Sequence, residues 1–151
     1  MPYWLARRDT ARAMSENLDL VRSIYRAWER GDVSSMKWAH PEIEFVIADG
    51  PTPGTWTGLS GMSEGWRTFL TVWEGFHAEA DEYRVIDDER VLVLDRFRGR
   101  GKQSGLEVGT MRTEGALLFR LRDSLVTRLV LYLDRDRALA ELGLRPEGET
   151  Q

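Results

Sequence analysis

The chain has 151 residues, 42% of them hydrophobic and 30% charged, with a formal net charge of −4 and no cysteine. That length suits one domain with a real core, and the balance excludes a disordered chain. The missing cysteines exclude disulfides, thiolate metal ligands and a cysteine nucleophile, and the acidic balance speaks against nucleic acid as a partner.

No apolar run approaches the ~20 residues of a bilayer span. Arg7, Arg8, Asp9 and Arg12 interrupt any signal-peptide core, so a cytoplasmic protein without membrane contact is expected. Residues 1–15 read as an N-terminal extension, 16–144 as one domain and 145–151 as a tail. From Met14-Ser15-Glu16 onward, Leu18, Val21, Ile24, Tyr25 and Trp28 recur at helical spacing until Gly31 stops the helix. Asp32 is then expected to cap a short second helix carrying Val33 and Met36, which His40-Pro41 breaks. Ile43, Phe45 and Ile47 alternate as a strand. Asp49-Gly50-Pro51-Thr52-Pro53-Gly54 is a turn-rich loop, and a third helix follows with Met62, Trp66, Phe69, Leu70 and Trp73 on one side.

The second half predicts four strands: Phe76 to Ile86, Arg90 to Arg100, Met111 to Leu121 and Leu125 to Leu133. Short polar connections and one Gly-rich stretch, Gly99 to Gly109, join them as a meander. Asp134 caps a short final helix that Gly143 ends. Helices first and antiparallel strands after give an α+β fold. Val91-Leu92-Val93-Leu94 and Leu129 to Leu133 are apolar on both faces, so one sheet face is expected to seek a partner, making a homodimer through the sheet.

A resemblance rests on Val21-Arg22-Ser23-Ile24-Tyr25-Arg26-Ala27-Trp28-Glu29-Arg30-Gly31-Asp32 and His40-Pro41-Glu42-Ile43-Glu44-Phe45. Thr57-Gly58 to Gly61, Val91 to Gly105 and Tyr132-Leu133-Asp134 extend it. In their order and spacing these segments resemble the SnoaL-like branch of the NTF2-like (ketosteroid isomerase-like) superfamily, over about residues 16–144. The resemblance implies a cone: three N-terminal helices on the concave face of a strongly curved, mostly antiparallel sheet, with a short C-terminal helix. The helical spacing of the aromatics places Trp28, Ile47, Trp66 and Phe69 around an internal pocket for a small apolar ligand. Family membership alone names no activity, because this fold hosts isomerases, cyclases, epoxide hydrolases and proteins that only bind.

Known catalytic patterns of the superfamily match poorly. The ketosteroid isomerase oxyanion hole uses a helix tyrosine and a protonated aspartic acid. Those positions fall on Ile24, one residue from Tyr25, and near Leu117. In limonene epoxide hydrolase an arginine acts with two aspartates, a tyrosine and an asparagine. Arg96 matches the arginine, but the other places fall on Arg98, Leu131, Ile47 and Asp49.

Two catalytic candidates survive. Asp49 lies two residues beyond Ile47, where the isomerase base would lie. It is either a general base beside apolar walls or a turn residue bonding its own backbone. Arg96 either faces the pocket and stabilises an oxyanion, or shares an outer face with Arg98 and Arg100 while Asp95 pairs with a neighbouring arginine. His40 reads as a helix-end residue and His77 as facing away from the core. Two distant histidines make no metal site, and Gly99 to Gly105 lacks the spacing of a phosphate loop. No metal or cofactor is expected. Three functions remain open: a binding protein for a small apolar molecule, a polyketide cyclase- or isomerase-type enzyme using Asp49 and Arg96, and an interaction module that uses only the sheet.

Overall fold

Helix α1 runs unbroken over Tyr3–Glu29 in the computed structural model, which describes residues 3–103 and 106–146, with side chains over 7–100 and 113–146. The stretch expected as an extension is therefore continuous with the first helix. Arg7 to Arg12 lie exposed, and Arg8, Ala11 and Arg12 are good helix formers, so propensity rather than packing carries the helix across them. Further along, Val21, Ile24 and Tyr25 are fully buried, as their spacing predicts. Gly31 ends the helix at φ +85°, with Gly31 N–H donating to Trp28 O and Asp32 N–H to Ala27 O.

The expected short second helix does not form; residues 32–36 carry no regular structure. Ser34 Oγ donates to Asp32 Oδ1, the kind of local bond that competes with a helix, and Val33 stays exposed. Strand β1 (Ala39–Ile47) follows, with a register shift between Ala39 and Glu44 that accommodates Pro41. After the turn-rich loop, a strand the sequence did not announce, β2 (Gly54–Thr57), pairs antiparallel with β1. Helix α2 (Gly58–Thr71) comes next. Trp73, expected on that helix, instead opens strand β3 (Trp73–Val85).

Strands β4 (Arg90–Gln103), β5 (Leu106–Arg122) and β6 (Leu125–Tyr132) complete one sheet in the order β2-β1-β6-β5-β4-β3. Every neighbouring pair is antiparallel except β1 with β6. The inner face buries Phe45, Val93, Phe97 and Phe119 against α1 and α2.

Helix α3 (Arg135–Leu142) lies on the opposite face. Asp134 caps it through Asp136 N–H and Arg137 N–H, and Gly143 ends it at φ +68°. Its Ala138 and Leu139 join Leu92, Leu94, Ala116, Leu118, Val130 and Tyr132 in a second apolar cluster. The outer face expected to be bare from the double-sided apolar runs is thus covered in part by the chain itself.

Candidate functional site

Between α1, α2 and the inner sheet face lies a cavity of about 550 Å³. Trp28 reaches it from the last turn of α1. Its ring meets Trp38 edge-on at 6.1 Å and Trp66 of α2 at 6.0 Å. Phe76 of β3 and Phe97 of β4, 5.4 Å apart, line the wall that the sheet supplies. Met36 and Met62 add polarisable, adaptable surface. The open side is marked by the large hydrophobic residues that stay exposed among the described residues, Val33 at 67% and Leu70 at 38%.

Of the expected ligand-contacting residues, Trp28 and Trp66 line the cavity. Phe69 lies fully buried behind them, edge-on to Trp66 at 6.1 Å and to Phe76 at 5.0 Å, so it supports the wall without forming it. Ile47 belongs to the packed core and does not reach this cavity.

The two catalytic candidates do not meet there. Asp49 Oδ1 accepts Leu133 N–H at 2.6 Å and Oδ2 accepts Asp134 N–H at 3.3 Å, while Ala48 N–H donates to Leu131 O. The side chain thus prolongs the β1–β6 ladder past the end of the strands. Its carboxylate is occupied by the backbone of a distant segment, which is neither the general-base role nor the local turn role expected of it. Arg96 projects from the outer side of β4, 62% exposed, and its Nε donates to Asp81 at 2.9 Å. Strand parity explains the place of Arg96: Val93, Asp95 and Phe97 face inward, so Arg96 cannot. His77 lies at the cavity edge, exposed, opposite in parity to Phe76 and Ala78.

Asp95, for which one of the two strand-face readings was a surface pairing with an arginine, is wholly buried instead. Tyr25 Oη donates to its Oδ2 at 2.6 Å, and its Oδ1 has no partner among the described residues. Burial is the largest influence on this carboxyl and pushes it up to about 7, against the tyrosine hydrogen bond and the Arg135 charge, which favour ionisation. Burial and the neighbouring carboxyl together push the Tyr25 hydroxyl well above its usual range. Arg135 does not bind the carboxylate; its guanidinium donates to the Asp95 and Gly115 carbonyls and pairs with Asp81. The pair stands behind the cavity wall, since Tyr25 touches Trp28 at 5.1 Å between ring centres and Asp95 precedes Phe97 by two residues.

Among the described residues no group of three or more His, Asp or Glu side chains could hold a metal ion. No helix among them is long and apolar enough to cross a membrane.

A mixed sheet packed against two helices around one aromatic cavity is the NTF2-like architecture. Within that class, the chain belongs to the SnoaL-like domain family, whose model matches residues 21–129. Solved structures agree on the fold. TerC, co-crystallised with polyporic acid, is similar with a TM-score of 0.66 at 23% identity, over 84% of this chain and 97% of its own. An NTF2-like protein from Burkholderia thailandensis E264 gives 0.67 at 20% identity, over 86% and 98%. A protein described as a SnoaL-like polyketide cyclase, from Jannaschia sp. CCS1, gives 0.64 at 11% identity, over 78% and 85%. Comparison with curated proteins returns no significant match.

Proposed function

We propose that this SnoaL-like protein binds a small, ring-containing apolar molecule in the cavity between α1, α2 and the sheet. The observation that carries this is the cavity itself: about 550 Å³, within the ordinary range for small-molecule sites, and walled by Trp28, Trp38, Trp66, Phe76 and Phe97. Aromatic walls offer large apolar area and edge-to-face partners to another ring. TerC, a protein of the same fold, has been crystallised with a small organic acid, which supports the reading.

The test uses the uncharged probe N-phenyl-1-naphthylamine and the tryptophans of the wall. Saturable quenching with one site per chain is expected, and Ala78→Phe, which places a ring into the cavity from β3, should abolish it. Binding that never saturates, or that Ala78→Phe leaves intact, overturns the proposal.

We further propose a homodimer that pairs through the part of the outer sheet face left beside α3. Val46, Ala48, Leu118 and Val130 border a hollow there, an apolar patch that the same patch of a second copy would cover. A catalytic function through Asp49 and Arg96 has no such support, because neither side chain lines the cavity.

A further inference from the structure

Helix α2 presents two adjacent rows to the cavity. Met62, Trp66 and Leu70 form one row at four-residue spacing, and Ser63, Arg67 and Thr71 form the next. The cavity is therefore apolar along one side of α2 and polar along the other. The polar row lies toward the open side, because Arg67 is exposed and its neighbour Leu70 marks the mouth. His77 reaches the same edge from β3.

The hydroxyl donors at this edge already have acceptors. Ser34 donates to Asp32, Ser63 to Met36 Sδ and Thr71 to Thr68 O. Arg67 and His77 differ: among the described residues neither side chain has a hydrogen-bond or ion-pair partner. Among the described residues no aspartate or glutamate lines the cavity either, although the chain as a whole carries a net charge of −4. Arg84, Arg90, Arg96, Arg128, Arg135 and Arg137, by contrast, all form ion pairs. An unpaired guanidinium over an aromatic cavity whose described lining holds no carboxylate is complementary to a negative group brought by the ligand.

We propose that the ligand is an amphipathic anion: an apolar ring system that enters between the tryptophans and carries one carboxylate, enolate or phenolate held at the mouth by Arg67, with His77 beside it. This rests on the cavity being a binding site and adds the charge of what it binds. A planar guanidinium can take a carboxylate with two parallel hydrogen bonds, which also fixes how the ring body enters.

Two probes with nearly the same ring body separate this from the cavity reading. 1-Anilinonaphthalene-8-sulfonate carries an anion, and N-phenyl-1-naphthylamine does not. With the full chain, Arg67→Gln should weaken the sulfonate probe by about tenfold, the size expected for one charged hydrogen bond, and leave the uncharged probe within about twofold. Arg67→Lys should restore part of the loss, and added salt should weaken only the sulfonate probe. Arg67 is exposed, so neither substitution threatens folding, which an unchanged unfolding midpoint would verify. If both probes bind saturably and Arg67→Gln weakens them equally or not at all, the anionic ligand is overturned while the cavity stands. If neither probe binds saturably to the unaltered protein, both proposals fail.

Discussion

Tyr25 donates its hydroxyl to Asp95 across 2.6 Å, joining α1 to β4 through a bond between residues 70 positions apart. The other carboxyl oxygen has no partner among the described residues, and the whole group is buried. An ionised carboxylate there would hold its charge with one hydrogen bond in a poorly screened interior, so the proton is retained up to about pH 7.

Stability should therefore depend on pH through Asp95. Its folded value, about 7, lies above the ordinary 3.8, so the native state keeps a proton that the unfolded chain releases. The resulting stabilisation is complete below about pH 4, declines as pH rises through 7, and is gone above that. Asp95→Asn removes the titration while keeping an oxygen for Tyr25. Urea unfolding at a series of pH values should show wild type losing a few kcal/mol relative to this variant between pH 4 and 8. Parallel curves for the two proteins would show that Asp95 ionises normally.

Asp49 should act on stability and not on ligand affinity. Both its oxygens accept backbone N–H groups where β6 passes into α3. Asp49→Ala leaves Leu133 N–H without its acceptor and should cost about 1–3 kcal/mol, with probe binding in the cavity unchanged. Loss of binding in a protein of unchanged stability would instead return Asp49 to the site.

Light scattering at micromolar concentration should give a mass near twice 17.4 kDa. Val130→Glu on the outer face, 3% exposed in the single chain, would place charge in the proposed contact. It should also disturb the cluster beneath α3, so Val46→Glu, at a less buried position beside the hollow, is the cleaner variant. A monomer in the unaltered protein overturns the dimer.

Local patterns carried much of this fold. The 3.6-residue recurrence of Val21, Ile24, Tyr25 and Trp28 puts the buried side of α1 where it lies, and the cap and glycine of α3 mark both its ends. Strand parity already linked Asp95 with Phe97 and set both against Arg96; only the direction of the core was missing. What stayed illegible depends on contacts between distant segments. Strand β2 has four residues and exists through its pairing with β1. The role of Asp49 is decided by backbone more than 80 positions later, as is the cover that α3 lends the outer face. Arg67 looks like any solvated helix arginine until α2 is laid along the cavity mouth.

Gly115 offers the sharpest check on how the cavity wall is packed. It faces Asp95 across the β4–β5 ladder, and a Cβ there would collide with the Phe97 ring and the Tyr132 carbonyl oxygen. Both must give way: the ring by shifting into the cavity it lines, and the carbonyl against its ladder pairing. Gly115→Ala should cost about 1–3 kcal/mol by overpacking and weaken N-phenyl-1-naphthylamine at the same time. Phe97→Leu in the same chain gives the methyl group room. The double variant should then be more stable than the sum of the single losses predicts, as expected for residues in contact. Additive losses in chemical denaturation would mean that Phe97 does not lie over Gly115, and the sheet wall of the cavity would have to be redrawn.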